Sequence, residues 1–312
     1  METDQYPSSI VHRKLLIVIA GPTAVGKTAV AIQLAKHFNT EIISADSRQI
    51  FKELNIGVAR PSEDELEEVK HHFIANKSIA EYFSAGEYER EVITLLDELY
   101  KTKDTVILCG GTGFYVNAVL YGFDEIPQID SAIRDQLNLE FKKSGIEPLQ
   151  QQLKELDEET YNSIDRNNTQ RVIRALEVSI GTGQKFSAFK RKNEVKRNFI
   201  PIKIALNVSK EQLQHNINSR VDEMMRNGFL EEAKSVYNFR DHNALRTVGY
   251  KELFDCIDNK TTLNEAVDLI KLHTRQYAKR QLTFFNKDKD YTWFESKKIN
   301  DIISFIETNT SK

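Results

Sequence analysis

The sequence has only two cysteines among its 312 residues, Cys109 and Cys256. Neither belongs to a CxxC pair, so the pattern of a zinc site or of a dithiol redox centre is absent. Two distant cysteines also provide no disulfide framework, which favours a protein of the reducing cytoplasm. Because Cys109 lies in an apolar run without a nearby histidine to activate it, we interpret it as a core residue and not as a nucleophile.

Long hydrophobic runs are also missing. The apolar run Leu15–Ala20 has six residues, far fewer than the roughly 20 that cross a bilayer as a helix. The first ten residues contain acids and lack the basic start and apolar core of a signal peptide. We therefore expect neither a membrane anchor nor a secretory leader.

Positive charge is not in excess, because 43 Lys and Arg oppose 46 Asp and Glu, for a net charge of -3. No global basic field attracts the chain to nucleic acid, so any RNA contact requires a local patch. Residues 190–197 contain five basic residues and one acid, and residues 271–280 contain four basic residues and no acid. Each stretch fits either a phosphate-contacting surface or an ordinary solvated face.

Short apolar runs that alternate with helical patterns predict an α/β protein with a parallel sheet. The predicted strands are Leu15–Ala20, residues 41–45, Thr105–Cys109 and residues 202–208, with an edge strand at residues 291–294. Helices are predicted at residues 29–38, 210–227, 230–237, 248–257 and 263–286, and the acidic residues 63–68 resemble a helix start.

The stretch between residues 121 and 201 shows only helical patterns, at residues 131–142, 148–156 and 168–180. We therefore predict a sheet core formed by residues 1–121 and 201–312, with a helical insertion at residues 122–200.

An octapeptide after the first predicted strand matches the pattern GxxxxGK[ST] of a phosphate-binding loop. It consists of Gly21, Pro22, Thr23, Ala24, Val25, Gly26, Lys27 and Thr28. Its glycines let backbone N–H groups turn towards phosphate oxygens, and the following helix adds the positive end of its dipole. Lys27 is predicted to contact phosphate and Thr28 to ligate Mg²⁺. A nucleoside triphosphate and an allylic diphosphate both fit, so the loop alone leaves its ligand open.

Asp46 follows the second predicted strand, at the edge of the sheet where parallel α/β folds bind ligands. A carboxylate in this place is either a site residue or merely a cap of the next turn. The position alone does not separate these two interpretations.

Further motifs follow the phosphate loop: Ser44-Ala-Asp-Ser-Arg-Gln-Ile-Phe51, Asn55-Ile-Gly-Val-Ala-Arg-Pro61, His71-His-Phe73 and Gly110-Gly-Thr-Gly-Phe-Tyr115. Later ones are Asn168-Thr-Gln-Arg171, Arg174-Ala-Leu-Glu-Val178, Arg220-Val-Asp-Glu-Met-Met225, Leu245-Arg-Thr-Val-Gly-Tyr250 and Thr274-Arg-Gln-Tyr-Ala-Lys-Arg-Gln281. In order and spacing this set resembles the tRNA dimethylallyltransferases, or tRNA isopentenyltransferases, of the bacterial type. The resemblance covers about residues 15–294.

The chain departs from the family pattern at four positions. Phe51 stands where Tyr is usual, Val58 and Arg60 replace Thr and Lys, and Arg166 stands where Pro is common. These positions bear on fine tRNA contacts rather than on the reaction.

The resemblance implies a P-loop NTPase-like parallel sheet flanked by helices, with C-terminal helices and a helical insertion that binds the tRNA anticodon stem. The implied enzyme is a monomeric, cytoplasmic prenyltransferase that uses Mg²⁺. It moves a dimethylallyl group from dimethylallyl diphosphate to N6 of adenine 37, next to the anticodon, in tRNAs that read codons starting with U. Diphosphate is the second product.

The resemblance also assigns catalytic roles. Asp46 is implied as the acceptor of the N6 proton, and Arg220 as a guanidinium that stabilises the leaving diphosphate. Thr112 is implied to contact the acceptor nucleotide from a glycine-rich turn. Without the resemblance, Arg220 fits a surface arginine beside Asp222, and Thr112 fits a turn made only for its geometry.

A larger set is implied to bind tRNA, because an adenine in an anticodon loop must leave its stack to react. Its members are Asp46, Ser47, Arg48, Gln49, Thr112, Arg134, Gln170, Arg171, Val172, Ile173, Arg174, Leu245, Arg246, Thr247, Val248, Gly249 and Tyr250. For Arg134 an ordinary helix-surface residue beside Asp135 is the alternative. His71 and His72 are interpreted as structural, because adjacent residues point different ways and no third metal ligand follows.

Three other functions remain possible at this point. A small-molecule kinase that uses ATP shares the phosphate loop, and an adenylate isopentenyltransferase shares the donor but needs no RNA-binding surface. A non-catalytic RNA-binding protein would keep the loop as a relic, which the presence of Lys27, Thr28, Asp46 and Thr112 disfavours.

Overall fold

A computed structural model of the chain describes residues 14–123, 126–127, 129–189 and 195–310. Within these residues six strands form one sheet in the order β3-β2-β4-β1-β5-β6, and all neighbours pair in parallel. The strands are β1 (Leu15–Ala20), β2 (Ile42–Ser44), β3 (His71–His72), β4 (Thr105–Cys109), β5 (Ile200–Asn207) and β6 (Thr292–Glu295). The predicted α/β class with a parallel sheet flanked by helices is confirmed.

Helices follow most of the strands. They are α1 (Lys27–His37), α2 (Glu63–Glu68), α3 (Ala85–Leu99), α4 (Gly113–Tyr121), α5 (Ser131–Ser144), α6 (Glu147–Leu156), α7 (Glu158–Ser163), α8 (Thr169–Thr182), α9 (Lys210–Arg226), α10 (Phe229–Ser235), α11 (Tyr250–Ile257), α12 (Leu263–Phe285) and α13 (Ile299–Thr310). The acidic helix start at residues 63–68 is α2, where Ser62 and Glu65 form a reciprocal capping box.

The central strand β1 is buried along its whole length because both faces of the sheet carry a core. Leu16, Val18 and Ala20 belong to one hydrophobic cluster, and the alternate residues Ile17 and Ile19 to the other. This alternation follows from the two-residue period of a strand. It explains why the run is apolar throughout instead of alternating with polar residues.

Contacts divide the chain into two compact units, Met1–Tyr121 with Lys196–Lys312, and Gly122–Val195. The first unit contains the whole sheet. The second is built from α5 to α8 around a core of its own, formed by Leu137, Leu149, Leu153, Val172, Ile173, Ala175 and Leu176. No helix in the described chain has both the length and the apolar character needed to span a membrane.

Strand β3 was not predicted, because two residues are too few to produce a periodic pattern. His71 and His72 pair with Ile42 and Ile43 at one edge of the sheet. His72 Nε2 lies 2.7 Å from the Glu41 carboxylate, and His71 Nδ1 lies 2.8 Å from the carbonyl of Val69. These contacts agree with a structural role for both histidines.

Candidate active site

The phosphate-binding loop connects β1 to α1. Gly21 has a φ of 141°, and a Cβ there would lie 2.8 Å from the Leu206 carbonyl, so only glycine fits. Gly26 precedes α1 with a φ of 97°, and no side chain caps this helix. The N–H groups of the first turn are therefore available to phosphate oxygens, next to the positive end of the helix dipole.

Lys27 points back into this loop, where its Nζ donates a hydrogen bond of 2.7 Å to the Pro22 carbonyl. Burial lowers the pKa of Lys27 to about 8, and the nearby Arg220 lowers it further, whereas Cys109 and Asp46 oppose the shift. An anionic ligand would stabilise the charged ammonium in this place. Burial raises the pKa of Cys109 to about 12, so its thiol stays protonated, as expected for a core residue.

Asp46 and Thr112 lie side by side because backbone hydrogen bonds join the ends of β2 and β4. Thr112 donates its N–H to the Ala45 carbonyl (3.1 Å), and its Oγ1 accepts the N–H of Ser47 (3.1 Å). Gly110 allows this approach, since a Cβ there would lie 2.1 Å from the Ala45 carbonyl oxygen.

The Asp46 carboxylate has a capping contact on one of its two oxygens. Oδ1 accepts the backbone N–H groups of Arg48 (2.9 Å) and Gln49 (3.3 Å). No group of the described residues donates to Oδ2, and Asp46 lines both cavities of the site. Asp46 thus caps the following turn with one oxygen and also lines both cavities.

Two cavities, of about 800 and about 610 Å³, meet at this edge of the sheet. The larger one includes Gly26, Lys27 and Thr28, and the smaller one includes Ser47 and Arg48. Both are lined by Thr23, Asp46, Val58, Ala59, Arg220, Met224 and Tyr277. We call them the phosphate cavity and the side cavity. Asp46 therefore faces a molecule bound in either cavity.

Arg220 of α9 faces the site. Its Nη1 donates to the hydroxyl of Thr23 at 3.4 Å, and desolvation lowers its pKa despite the nearby acids Glu223, Glu65 and Asp46. The neighbouring Asp222 instead contacts Lys271, whose Nζ lies 2.5 Å away. Arg220 therefore lies over the phosphate loop rather than in a local surface pair.

Two residues of α12 contact or line the site although neither was predicted as a site residue. The buried Gln281 amide accepts the N–H of Thr23 (2.8 Å) and donates to the Gly111 carbonyl (2.9 Å). Tyr277 lines both cavities, and desolvation of its hydroxyl, with Asp46 nearby, raises its pKa to about 12. The signal in the sequence was the motif Thr274–Gln281, which contains both residues but indicated no role for either.

The segment 245–250 divides into positions that line the side cavity and positions whose side chains lie in the core. Arg246, Thr247, Val248 and Gly249 line the side cavity. Leu245 and Tyr250 are fully buried, so their side chains position this segment from the core.

The other candidates for tRNA contact differ in their surroundings: some form internal hydrogen bonds, some are exposed and some are buried. Gln49 Nε2 donates to the carbonyls of Val58 and Ala59, and Arg48 Nη1 donates to the carbonyl of Asn243. Gln170 and Arg171 are exposed on α8, whereas Val172 and Ile173 are completely buried in the core of the second unit.

Arg134 and Arg174 share one carboxylate in the second unit. Glu177 Oε2 lies 3.0 Å from Nη1 of Arg174 and 3.8 Å from Nη1 of Arg134. The Glu177 side chain is 7% exposed, while the two arginines are 35% and 38% exposed. Arg134 thus lies within ion-pair distance of a buried carboxylate.

The two basic stretches differ in what the structure shows. Residues 190–194 of the first stretch, with Lys190 and Arg191, lie outside the described residues. Arg197 at its end donates to Glu89 (2.6 Å) and to the Ala118 carbonyl (2.8 Å), so it is part of an internal ion pair. In the second stretch Lys279 and Arg280 are exposed on α12.

The residues near Thr28 suit a magnesium ion bound mainly by its substrate. No group of three or more acidic, histidine or cysteine side chains within the described ranges could hold a metal alone. A hydroxyl at the start of α1, facing a cavity that Asp46 also lines, matches a Mg²⁺ ion that takes most ligands from phosphate and water.

Comparisons with known proteins find similar sequences over most of this chain. The family model described as IPP transferase matches residues 49–288. A tRNA dimethylallyltransferase of Flavobacterium johnsoniae is 48% identical over 303 residues, which cover 95% of this chain and 98% of that protein.

Solved structures are similar over most of the chain as well. A tRNA isopentenylpyrophosphate transferase of Bacillus halodurans superimposes with a TM-score of 0.71 and 36% identity, covering 96% of this chain and 97% of that one. A eukaryotic dimethylallyltransferase, solved in snapshots of its action on tRNA, has a TM-score of 0.74 and 26% identity, covering 91% of this chain and 74% of that one.

Proposed function

The chain belongs to the IPP transferase family, and from this premise we propose that it transfers a dimethylallyl group from dimethylallyl diphosphate to N6 of adenine 37 in tRNA. The preferred substrates are tRNAs that read codons starting with U. The meeting of the phosphate cavity and the side cavity at Asp46 is the observation that carries the proposal. A diphosphate on the phosphate loop and a base in the side cavity would bring the two reacting atoms together there.

The reaction forms a bond between N6 and the first allyl carbon while the bond from that carbon to the diphosphate oxygen breaks. The adenine N6 is a poor nucleophile because its lone pair is delocalised into the ring. A carboxylate that accepts its proton as the bond forms improves it. Oδ2 of Asp46 suits this role, since Oδ1 is already engaged by two backbone N–H groups that hold the side chain in place.

The departing oxygen takes the electron pair of the broken bond, so the diphosphate becomes more negative. The phosphate loop and Lys27 line the phosphate cavity and Arg220 lines both cavities, so these groups would stabilise this charge. A Mg²⁺ ion on Thr28 would add a further positive charge at the phosphates when bound. The contact of Arg220 with Thr23 supports its placement at the same end of the donor.

The acceptor side requires contacts to an extruded base and to the RNA backbone. Asp46 to Gln49, Thr112 and residues 246–249 are our candidates near the base. We assign Arg134, Gln170, Arg171 and Arg174 of the second unit to the anticodon stem. We also propose a monomeric enzyme that works in the cytoplasm, where unmodified tRNA is available.

The decisive experiment is incubation with Mg²⁺ and radiolabelled dimethylallyl diphosphate in the presence of either unmodified tRNA or AMP. Label in tRNA alone supports the proposal. Label in AMP alone would favour an adenylate isopentenyltransferase, which the similar proteins do not favour. Label in neither, together with transfer from ATP to a small molecule, would favour a kinase.

A further inference from the structure

Residues 55–57 form a concave turn whose backbone N–H groups converge on one internal carboxylate. Glu232 of α10 accepts the N–H of Asn55 (3.0 Å) and of Ile56 (2.7 Å) on Oε2, and the N–H of Gly57 (2.9 Å) on Oε1. Successive N–H groups of this kind form an anion-binding nest. In this protein the anion is a side chain placed 175 positions further along the sequence.

Side chains of the core also hold the nest in place. The hydroxyl of Tyr250 donates to Oε1 of the same carboxylate at 2.6 Å. A Cβ on Gly57 would lie 2.1 Å from the ring of Phe229 and 2.7 Å from the Tyr250 hydroxyl. The turn is therefore clamped between a carboxylate and two buried rings, with no space for movement towards the core.

The residues that follow the nest form the wall where the two cavities meet. Val58 and Ala59 line both cavities, and Asn55, Ile56 and Arg60 line the phosphate cavity. The amide of Gln49 holds this wall from the opposite side, with Nε2 at 2.8 Å from the Ala59 carbonyl. Glu232 contributes no atom to the lining of either cavity.

We propose that Glu232 is a positioning residue for prenyl transfer, acting through the nest at residues 55–57 to fix the wall between donor and acceptor. This inference rests on the proposed function. Its charge supports three charge-assisted hydrogen bonds from the nest and a fourth from the Tyr250 hydroxyl. Such bonds are about twice as strong as neutral ones. Loss of these bonds would let the wall move while the phosphate loop, Asp46 and Arg220 remain unchanged.

The test compares Glu232→Gln with Glu231→Gln, which makes the same change at an exposed neighbour. We expect Glu232→Gln to raise the KM for dimethylallyl diphosphate at least fivefold, with a smaller change in tRNA affinity, because most of the nest residues face the phosphate cavity. Glu231→Gln should match the wild type. Glu232→Asp, which keeps the charge but withdraws it from the turn, should give a weaker form of the same defect.

Gly57→Ala disturbs the same turn from the other side and should reproduce the donor defect with Glu232 intact. A Glu232→Gln enzyme that melts earlier but keeps donor KM and turnover within twofold of the wild type would overturn the proposal. If that variant does not fold, an unchanged donor KM in both Glu232→Asp and Gly57→Ala would overturn it equally.

The labelling assay with the wild-type enzyme tests the proposed function separately from the role of Glu232. If the wild type labels no tRNA, calorimetric binding of dimethylallyl diphosphate still tests Glu232. Weaker binding by Glu232→Gln than by both the wild type and Glu231→Gln would retain its positioning role, whereas equal binding would refute it.

Discussion

Gln281 and Thr23 lie 258 positions apart, yet the side-chain oxygen of Gln281 accepts the backbone N–H of Thr23 at 2.8 Å. The other end of the same amide donates to the Gly111 carbonyl at 2.9 Å. One buried side chain of α12 thus joins the middle of the phosphate loop to the glycine-rich turn that carries Thr112.

Replacement of Gln281 by Leu should therefore lower both stability and donor binding. Both backbone groups would lose their partner, at a cost of about 1–3 kcal/mol for each buried unsatisfied group. Urea unfolding should show the loss of stability, and donor titration should show a higher Kd. Gln214→Leu, an exposed change on α9, serves as the control. Wild-type donor affinity in Gln281→Leu would show that the bridge does not shape the loop.

Asp46→Asn separates the two functions of that side chain. The amide keeps an oxygen that can accept the N–H groups of Arg48 and Gln49, so the turn should remain, but a proton acceptor is lost. We expect the single-turnover rate to fall by roughly 10² or more, with tRNA affinity within a few-fold of the wild type. Asp46→Ala should show the same loss of rate. A near-normal rate would remove Asp46 from the mechanism.

Donor binding should depend on the titration of Lys27. Burial lowers its pKa to about 8 in the free protein, and a bound diphosphate would raise it again. Above pH 8, binding of the donor then requires the uptake of about one proton by each enzyme molecule. The donor KM should therefore rise several-fold between pH 7.5 and 9. Lys27→Arg, which stays charged, should lack this rise. Parallel profiles for both enzymes would contradict the prediction.

The same shift has a consequence for folding. The charged lysine is less favourable in the folded than in the unfolded chain, whose pKa lies near 10.5. The unfolded state therefore binds more protons between pH 8 and 10.5, and the Lys27 contribution to stability increases with pH across this range. It is constant below pH 8, where both states are protonated.

Two explanations of the role of Glu177 predict opposite changes in tRNA affinity when its charge is removed. If charge alone matters, removal of an acid beside RNA should strengthen binding. If Glu177 orients Arg134 and Arg174, Glu177→Gln should weaken tRNA binding several-fold and reduce its dependence on salt. The control is Asp135→Asn, an exposed acid next to Arg134. Filter binding across salt concentrations distinguishes the outcomes, and tighter binding by Glu177→Gln would reject the orienting role.

The sequence predicted those features that depend on local patterns. β1 and the phosphate loop are each encoded within a few neighbouring residues. The short acidic run at residues 63–68 was predicted as a helix start, and it forms α2.

Contacts between distant residues were not predictable in the same way. No local pattern indicates that Glu232 fills the turn at residues 55–57 or that Arg197 pairs with Glu89. Residues 190–197 have a basic composition, but composition does not show which of these side chains form ion pairs within the protein. The resemblance to a family identified motifs, whereas the partners of each side chain required the fold.

The position of β5 restricts when the phosphate loop can form during synthesis. β1 lies between β4 and β5, and Gly21 packs against the Leu206 carbonyl at the end of β5. The ribosome makes β5 only after the entire second unit. A nascent chain ending near residue 121 would therefore contain the complete GxxxxGK[ST] octapeptide beside an unpaired strand edge, which is a template for aggregation. The ribosome synthesises the loop sequence early, but we expect the loop to reach its folded conformation only after β5 has been made.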